Sequence, residues 1–250
     1  MRMKSIRVAI ILSLILVMIL TYLFLQIREQ GLKMRSDDPR VWDSVIAEFE
    51  AQDASEPPSA NALLLIGDAG IRLWDSVADD MQPFNVVARG FGGAKIIDLS
   101  YYVNRIVSPY QPKAIVVYIG SNDFTAAYGN TPKSLEQAKP LYLQLVDRLE
   151  EAAPDAAIFI VALKPSTHFW ALWPEFTVVN QYLQQLAAGR EGVFFIDANA
   201  GLFTEQAEPN PDLLLFDGMH NNDEGYAVWG AAIKSVVLEA IKYPLSKKNG

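Results

Sequence analysis

Hydrophobic and polar positions divide this chain into three stretches. From Val8 to Leu25 the run VAIILSLILVMILTYLFL carries no charge over 18 residues, with Arg2, Lys4 and Arg7 before it and Gln26 and Arg28 after it. About 20 apolar helical residues span a bilayer core, so one transmembrane helix is predicted over about 8–26. A cleaved signal would have a shorter apolar region ending in small residues, whereas this run ends in Tyr22-Leu23-Phe24-Leu25; the pattern is that of an uncleaved signal anchor. Basic residues on the short N-terminal tail place the N-terminus in the cytoplasm and the rest of the chain outside it, periplasmic or extracellular.

The second stretch is polar. SDDPR at 36–40 and ASEPPSAN at 54–61 bracket a short amphipathic segment, VWDSVIAEFEAQ, which Pro57 and Pro58 terminate. After Asn61, apolar runs of strand length alternate with segments of helical period, the pattern of a parallel sheet with crossover helices. The strands are predicted at 62–67, 85–88, 114–119, 157–163 and 193–196, and their nearly continuous apolar character suits burial on both faces. Helices are predicted at 71–78, 94–107, 134–153, 173–188 and 223–241. This is an α/β chain, a three-layer α/β/α sandwich around a flavodoxin-like five-stranded parallel sheet. Its expected organisation is an anchor (1–30), a linker with a short amphipathic helix (31–60), a domain (61–243) and a tail (244–250).

Charge and composition narrow the chemistry. Residues 36–250 hold 15 basic and 28 acidic residues, a net −13, which provides no basic patch for a phosphate backbone and argues against nucleic acid as a partner. The chain has no cysteine and two histidines, His168 and His220. Disulfides, thiolate metal sites and cysteine nucleophiles are excluded, and so is a histidine-rich metal cage.

Ligands of such sheets sit beyond the carboxyl ends of the strands. The segments there are Gly67-Asp68-Ala69-Gly70, Arg89-Gly90-Phe91-Gly92-Gly93 and Gly120-Ser121-Asn122-Asp123, with Asp217-Gly218-Met219-His220 before the last helix. Asp217 and His220 are spaced so that the carboxylate orients the imidazole and leaves its other nitrogen as a base; an exposed histidine capping the helix is the plainer alternative. Gly92 and Gly93 allow close backbone approach and Asn122 offers an amide donor, the parts of an oxyanion hole, although the glycines also suit a tight strand-to-helix turn.

Together and in this order, the four segments resemble the SGNH (GDSL-type) hydrolases, over roughly residues 62–242. Arg72, Trp74 and Lys164-Pro165-Ser166 extend the resemblance to a bacterial branch of GDSL-type lipases and acylhydrolases. The resemblance implies a serine esterase or acylhydrolase that needs no metal or cofactor. Its oxyanion donors would be the Gly93 N–H, Asn122 and the N–H of residue 69, its catalytic pair Asp217 and His220, and its loop braces Asp68 and Asp123. The substrate would be a small-molecule, glycan or lipid ester.

One position departs from the family pattern. Where the resemblance places the nucleophilic serine, the chain has Ala69. A methyl group cannot attack a carbonyl, so near-inactivity is expected, and two readings stay open. One is an otherwise competent hydrolase inactivated by a serine-to-alanine change; the other is a natural pseudoenzyme serving as a membrane-tethered binding or scaffolding protein. Phe91, His168, Trp170 and Trp173 are candidates for the substrate pocket, each with ordinary packing or solvent exposure as its alternative.

Overall fold

The computed structural model describes residues 2–242, so the expected tail at 244–250 lies outside the described residues. Five strands, β1 (Leu63–Gly67), β2 (Val86–Gly90), β3 (Ala114–Tyr118), β4 (Ala157–Val161) and β5 (Val193–Ile196), form one parallel sheet in the order β2-β1-β3-β4-β5. That is the flavodoxin-like order, with β1 and β3 diverging at the switch point.

Alternate strand residues build two cores. Leu64, Ile66, Ile115, Val117, Ile158 and Ile160 face α5 (Ile96–Ile106), α7 (Leu135–Ala152) and α8 (Trp173–Ala188). Leu63, Leu65, Val116, Tyr118, Phe159 and Val161 face Trp74, Met81 and the apolar side of α9 (Asp223–Lys242), including Trp229, Ile233 and Val237. α7 begins with a reciprocal capping box between Ser134 and Gln137, which satisfies amides that a helix start otherwise leaves unpaired.

The helix predicted at 71–78 is instead two single turns, α3 (Ala69–Arg72) and α4 (Val77–Asp80). Trp74 turns inward between them, 2% exposed. Its indole Nε1 and the Ser76 hydroxyl both donate to Asp80 Oδ2, at 2.7 and 2.6 Å. Burying the indole with its N–H satisfied outweighs continuing one regular helix. β2 runs two residues beyond its predicted end, to Gly90, and so delivers the Gly92–Gly93 turn directly from the sheet edge.

The segment expected to be a linker is packed against the domain. After a short turn at Pro39–Trp42, α2 (Asp43–Ser55) buries Ile46, and Trp42 lies 5.5 Å from Phe91 in the same core. The N-terminal helix α1 extends from Arg2 to Arg35, past the predicted end of the span. From Ile10 onward it is long and apolar enough to cross a membrane, and its most apolar stretch is unburied.

Candidate active site

The sheet's carboxyl edge gathers segments that are far apart in sequence. A cavity of about 40 Å³ is lined by Asp68, Ala69, Gly70, Tyr118, Ser121, Asn122, Lys164, Ser166, Phe169, Phe176, Met219 and His220. Of the expected site residues it therefore joins Asp68, Ala69, Asn122 and His220.

The Asp217–His220 turn is rigidly built. Asp217 Oδ2 lies 2.7 Å from His220 Nδ1, while its Oδ1 accepts the backbone N–H groups of Met219 and His220 at 2.8 and 3.0 Å. Partial burial pushes the Asp217 carboxyl up, but these hydrogen bonds together outweigh it and hold the group below the usual carboxylate range. An ionised Asp217 at Nδ1 directs the proton of a neutral imidazole there, so Nε2 is the nitrogen with a free lone pair.

Ala69 opens α3, just after β1. Asp68, 2% exposed, accepts from Gly70 N at 2.8 Å on one oxygen and from the Ser121 hydroxyl at 2.8 Å on the other. Burial raises its pKa, opposed by those two bonds and by the nearby charges of His220 and Lys164. Asp123 accepts the Ile96 N–H at 2.9 Å and lies 3.4 Å from Lys133 Nζ, joining the β3 loop to the start of α5. Asp98 closes the same helix start on Lys95 N at 2.9 Å. Burial pushes the carboxyls of Asp98 and Asp123 up to about 6 each.

The expected oxyanion donors separate. Residue 69 and Asn122 line the cavity, but Asn122 Nδ2 donates to Ala94 O at 3.0 Å and lies 3.5 Å from Asp68 Oδ2. Gly93 is outside the lining, with its Cα beneath Met34 of α1.

The aromatic residues expected to line the pocket lie elsewhere. Phe91 is a core residue, 1% exposed between Trp42 and Tyr102, because the β2 turn directs it down onto these rings rather than up at the edge. Trp170 and Trp173 stack 6.0 Å apart and pack on Phe203. His168 is exposed beside Phe169. The aromatic rings that do line the cavity are Tyr118, Phe169 and Phe176, with Phe176 brought in from the first turn of α8.

Sequence reasoning also missed the role of Lys164, whose only signal was its place in the Lys164-Pro165-Ser166 match after β4. Its Nζ donates to Met219 O at 2.6 Å. Burial lowers its pKa to about 8, against the favourable charges of Asp68 and Asp217. Thr167 and His168 also bond Gly218 O, so the β4 loop holds the Asp217–His220 turn at several points. Among the described residues, no group of three or more His, Asp or Glu side chains converges as a metal site.

A parallel α/β/α sandwich with this constellation at its carboxyl edge defines an SGNH-type hydrolase fold. The family model of GDSL-like lipases and acylhydrolases matches residues 60–228, and the chain belongs to that family of ester-bond hydrolases. Among solved structures, a Streptococcus pneumoniae protein named for platelet activating factor matches at 16% identity over 87% of this chain and 99% of its own, with a TM-score of 0.70. A GDSL-like lipase from Bacteroides thetaiotaomicron matches at 17% identity over 78% and 98%, with a TM-score of 0.63. A family 3 carbohydrate esterase from Talaromyces cellulolyticus matches at 16% over 74% and 99%, with a TM-score of 0.55. At these identities the likeness is one of fold. No curated protein sequence matches the chain.

Proposed function

We propose that this chain is a membrane-anchored carboxylic-ester hydrolase of the SGNH type whose nucleophile position is occupied by Ala69, and that it is nearly inert as it stands. The observation that carries the reading is the Asp217–His220 pair, 2.7 Å apart, whose histidine lines the same small cavity as Ala69 and Asn122. With serine at 69, His220 Nε2 takes the hydroxyl proton as oxygen attacks the ester carbonyl, and Asp217 stabilises the resulting imidazolium. The N–H of residue 69 and the Asn122 N–H that is not engaged by Ala94 O receive the developing oxyanion. His220 then returns the proton to the leaving alcohol, and water releases the acyl group by the same assistance in reverse.

The cavity volume supports a short acyl group, since about 40 Å³ leaves room for only a few waters. The exposed apolar stretch of α1 supports single-pass anchoring, with the N-terminus cytoplasmic and the hydrolase domain extracytoplasmic.

The test compares the chain with its Ala69→Ser form on a chromogenic acetyl ester. Turnover that appears with serine and disappears on adding His220→Ala supports a disabled hydrolase. A folded Ala69→Ser protein without turnover on short or long esters rejects that reading and favours a tethered binding protein.

A further inference from the structure

Resting on that reading, we infer that the cavity opens onto the membrane surface, and that its substrate is a short-acyl ester whose alcohol portion belongs to a membrane-embedded lipid. Two features near the cavity support this orientation.

The first is the way α1 ends. Its exposed apolar side chains run from Ile10 to Leu25 and on to Ile27 and Leu32, and the helix continues unbroken onto the domain. Gln30 Nε2 donates to Gly92 O at 2.8 Å, Gly31 is buried, and Met34 covers Gly93. Gly93 has φ +88, and a Cβ there would overlap the Met34 side chain. Just past the helix, Asp37 pairs with Lys95 Nζ at 2.7 Å, and that lysine side chain is only 2% exposed. Ala94, next to the docked Gly93, accepts the bond from cavity-lining Asn122. The helix is therefore fixed beside the cavity rather than joined to the domain by a slack linker.

Exposed Ile27 and Leu32 carry the apolar side of the helix up to the docking residues themselves, so the domain is held where the helix leaves the bilayer rather than at the end of a long polar spacer.

The second feature is Phe216, which precedes Asp217 and is fully exposed at 104%. Hydrogen bonds from Leu215 N to His220 O (2.7 Å) and from Gly218 N to Leu215 O (2.9 Å) hold its turn. Leu215 beside it is 38% exposed. A rigid turn presenting a bare phenyl ring next to the His220 side of the cavity suits insertion among headgroups, where aromatic rings are favoured. Phe169 and Phe176 line this small cavity, which suits a short acyl group, and the lipid character belongs to the part of the substrate outside.

The chain has no cysteine, so single labels are clean. Phe216→Cys, Leu20→Cys and Glu191→Cys, the last on the opposite edge of the sheet, are labelled with an environment-sensitive fluorophore. The full-length proteins are reconstituted in phosphatidylcholine/phosphatidylglycerol vesicles containing a lipid-borne quencher. Labels at 216 and 20 are expected to be quenched and the label at 191 not. A label at 216 that behaves like the one at 191 while position 20 is quenched overturns the orientation and leaves the anchor standing. An unquenched position 20 defeats the anchor and the inference together.

In the full-length Ala69→Ser form, an acetylated lipid in vesicles is expected to be cleaved at least about tenfold faster than a soluble acetyl ester at equal bulk concentration, through effective concentration. Cleavage of the soluble ester alone overturns the substrate class but not the hydrolase reading, whereas cleavage of neither defeats the hydrolase reading. Equal cleavage of a long-acyl phospholipid overturns the short-acyl assignment.

Discussion

Lys164 Nζ donates to Met219 O at 2.6 Å, joining the loop after β4 to the residue immediately before His220. The bond fixes the turn that carries the imidazole. In the Ala69→Ser background, Lys164→Met is expected to lower kcat by about 10²-fold through misplacement of the base, with KM changed much less. Steady-state kinetics on an acetyl ester measure it; an unchanged kcat would remove the positioning role.

Asp217→Asn separates the charge of the carboxylate from its structural bonds, because an asparagine Oδ1 still accepts from Met219 N and His220 N. With serine at 69, kcat is expected to fall by about 10⁴-fold, the cost of the wrong histidine tautomer in a triad, while the unfolding midpoint moves little. Denaturant unfolding and kinetics on the same preparation distinguish this outcome from simple loss of the turn.

Acid and neutral stability differ in a defined direction. The carboxyls of Asp98 and Asp123 titrate at about 6 in the folded protein against 3.8 for the ordinary group, raised by burial. Between these values the folded chain holds protons that the unfolded chain has released, so the contribution is full below about pH 4 and is lost as pH rises through 6. Asp123→Asn is expected to remove roughly half of this slope. Urea unfolding at several pH values from 4 to 7 measures it, and an unchanged slope counts against the assignment.

Gly70→Ala puts a methyl group against the buried ring of Tyr118, 2.6 Å from Cε1. Tyr118 itself packs edge-on against Trp229 at 5.0 Å and has little room to move. A loss of about 1–3 kcal/mol, typical of overpacking, is expected in chemical denaturation. A fully stable variant would show that the ring yields.

The sheet and its helices were legible because strands buried on both faces read as short apolar runs, and crossover helices read at a 3.6-residue period. The departures have local causes. The helix expected at 71–78 broke because the Trp74 indole found both a core and a hydrogen-bond acceptor. The linker's amphipathic stretch proved to be packed, since the core beneath Trp42 and Ile46 is made by Phe91 and Tyr102, far along the chain.

For the site, spacing brought out Asp217 with His220, because chemistry confined to one turn is visible without a fold, whereas the departure at Ala69 showed only against the family pattern. Aromatic residues could not be sorted in that way: Phe91 went to the core, while Phe169 and Phe176 went to the cavity, depending on which way each backbone segment leaves the sheet. The hold of Lys164 on Met219, and the docking of α1 beside Gly93, involve partners about 55 to 60 residues apart. Such contacts leave no periodic trace in the sequence; they exist only once the parallel sheet has carried both partners to one edge, where the buried ammonium must find an acceptor and the bare glycine leaves room for a methionine.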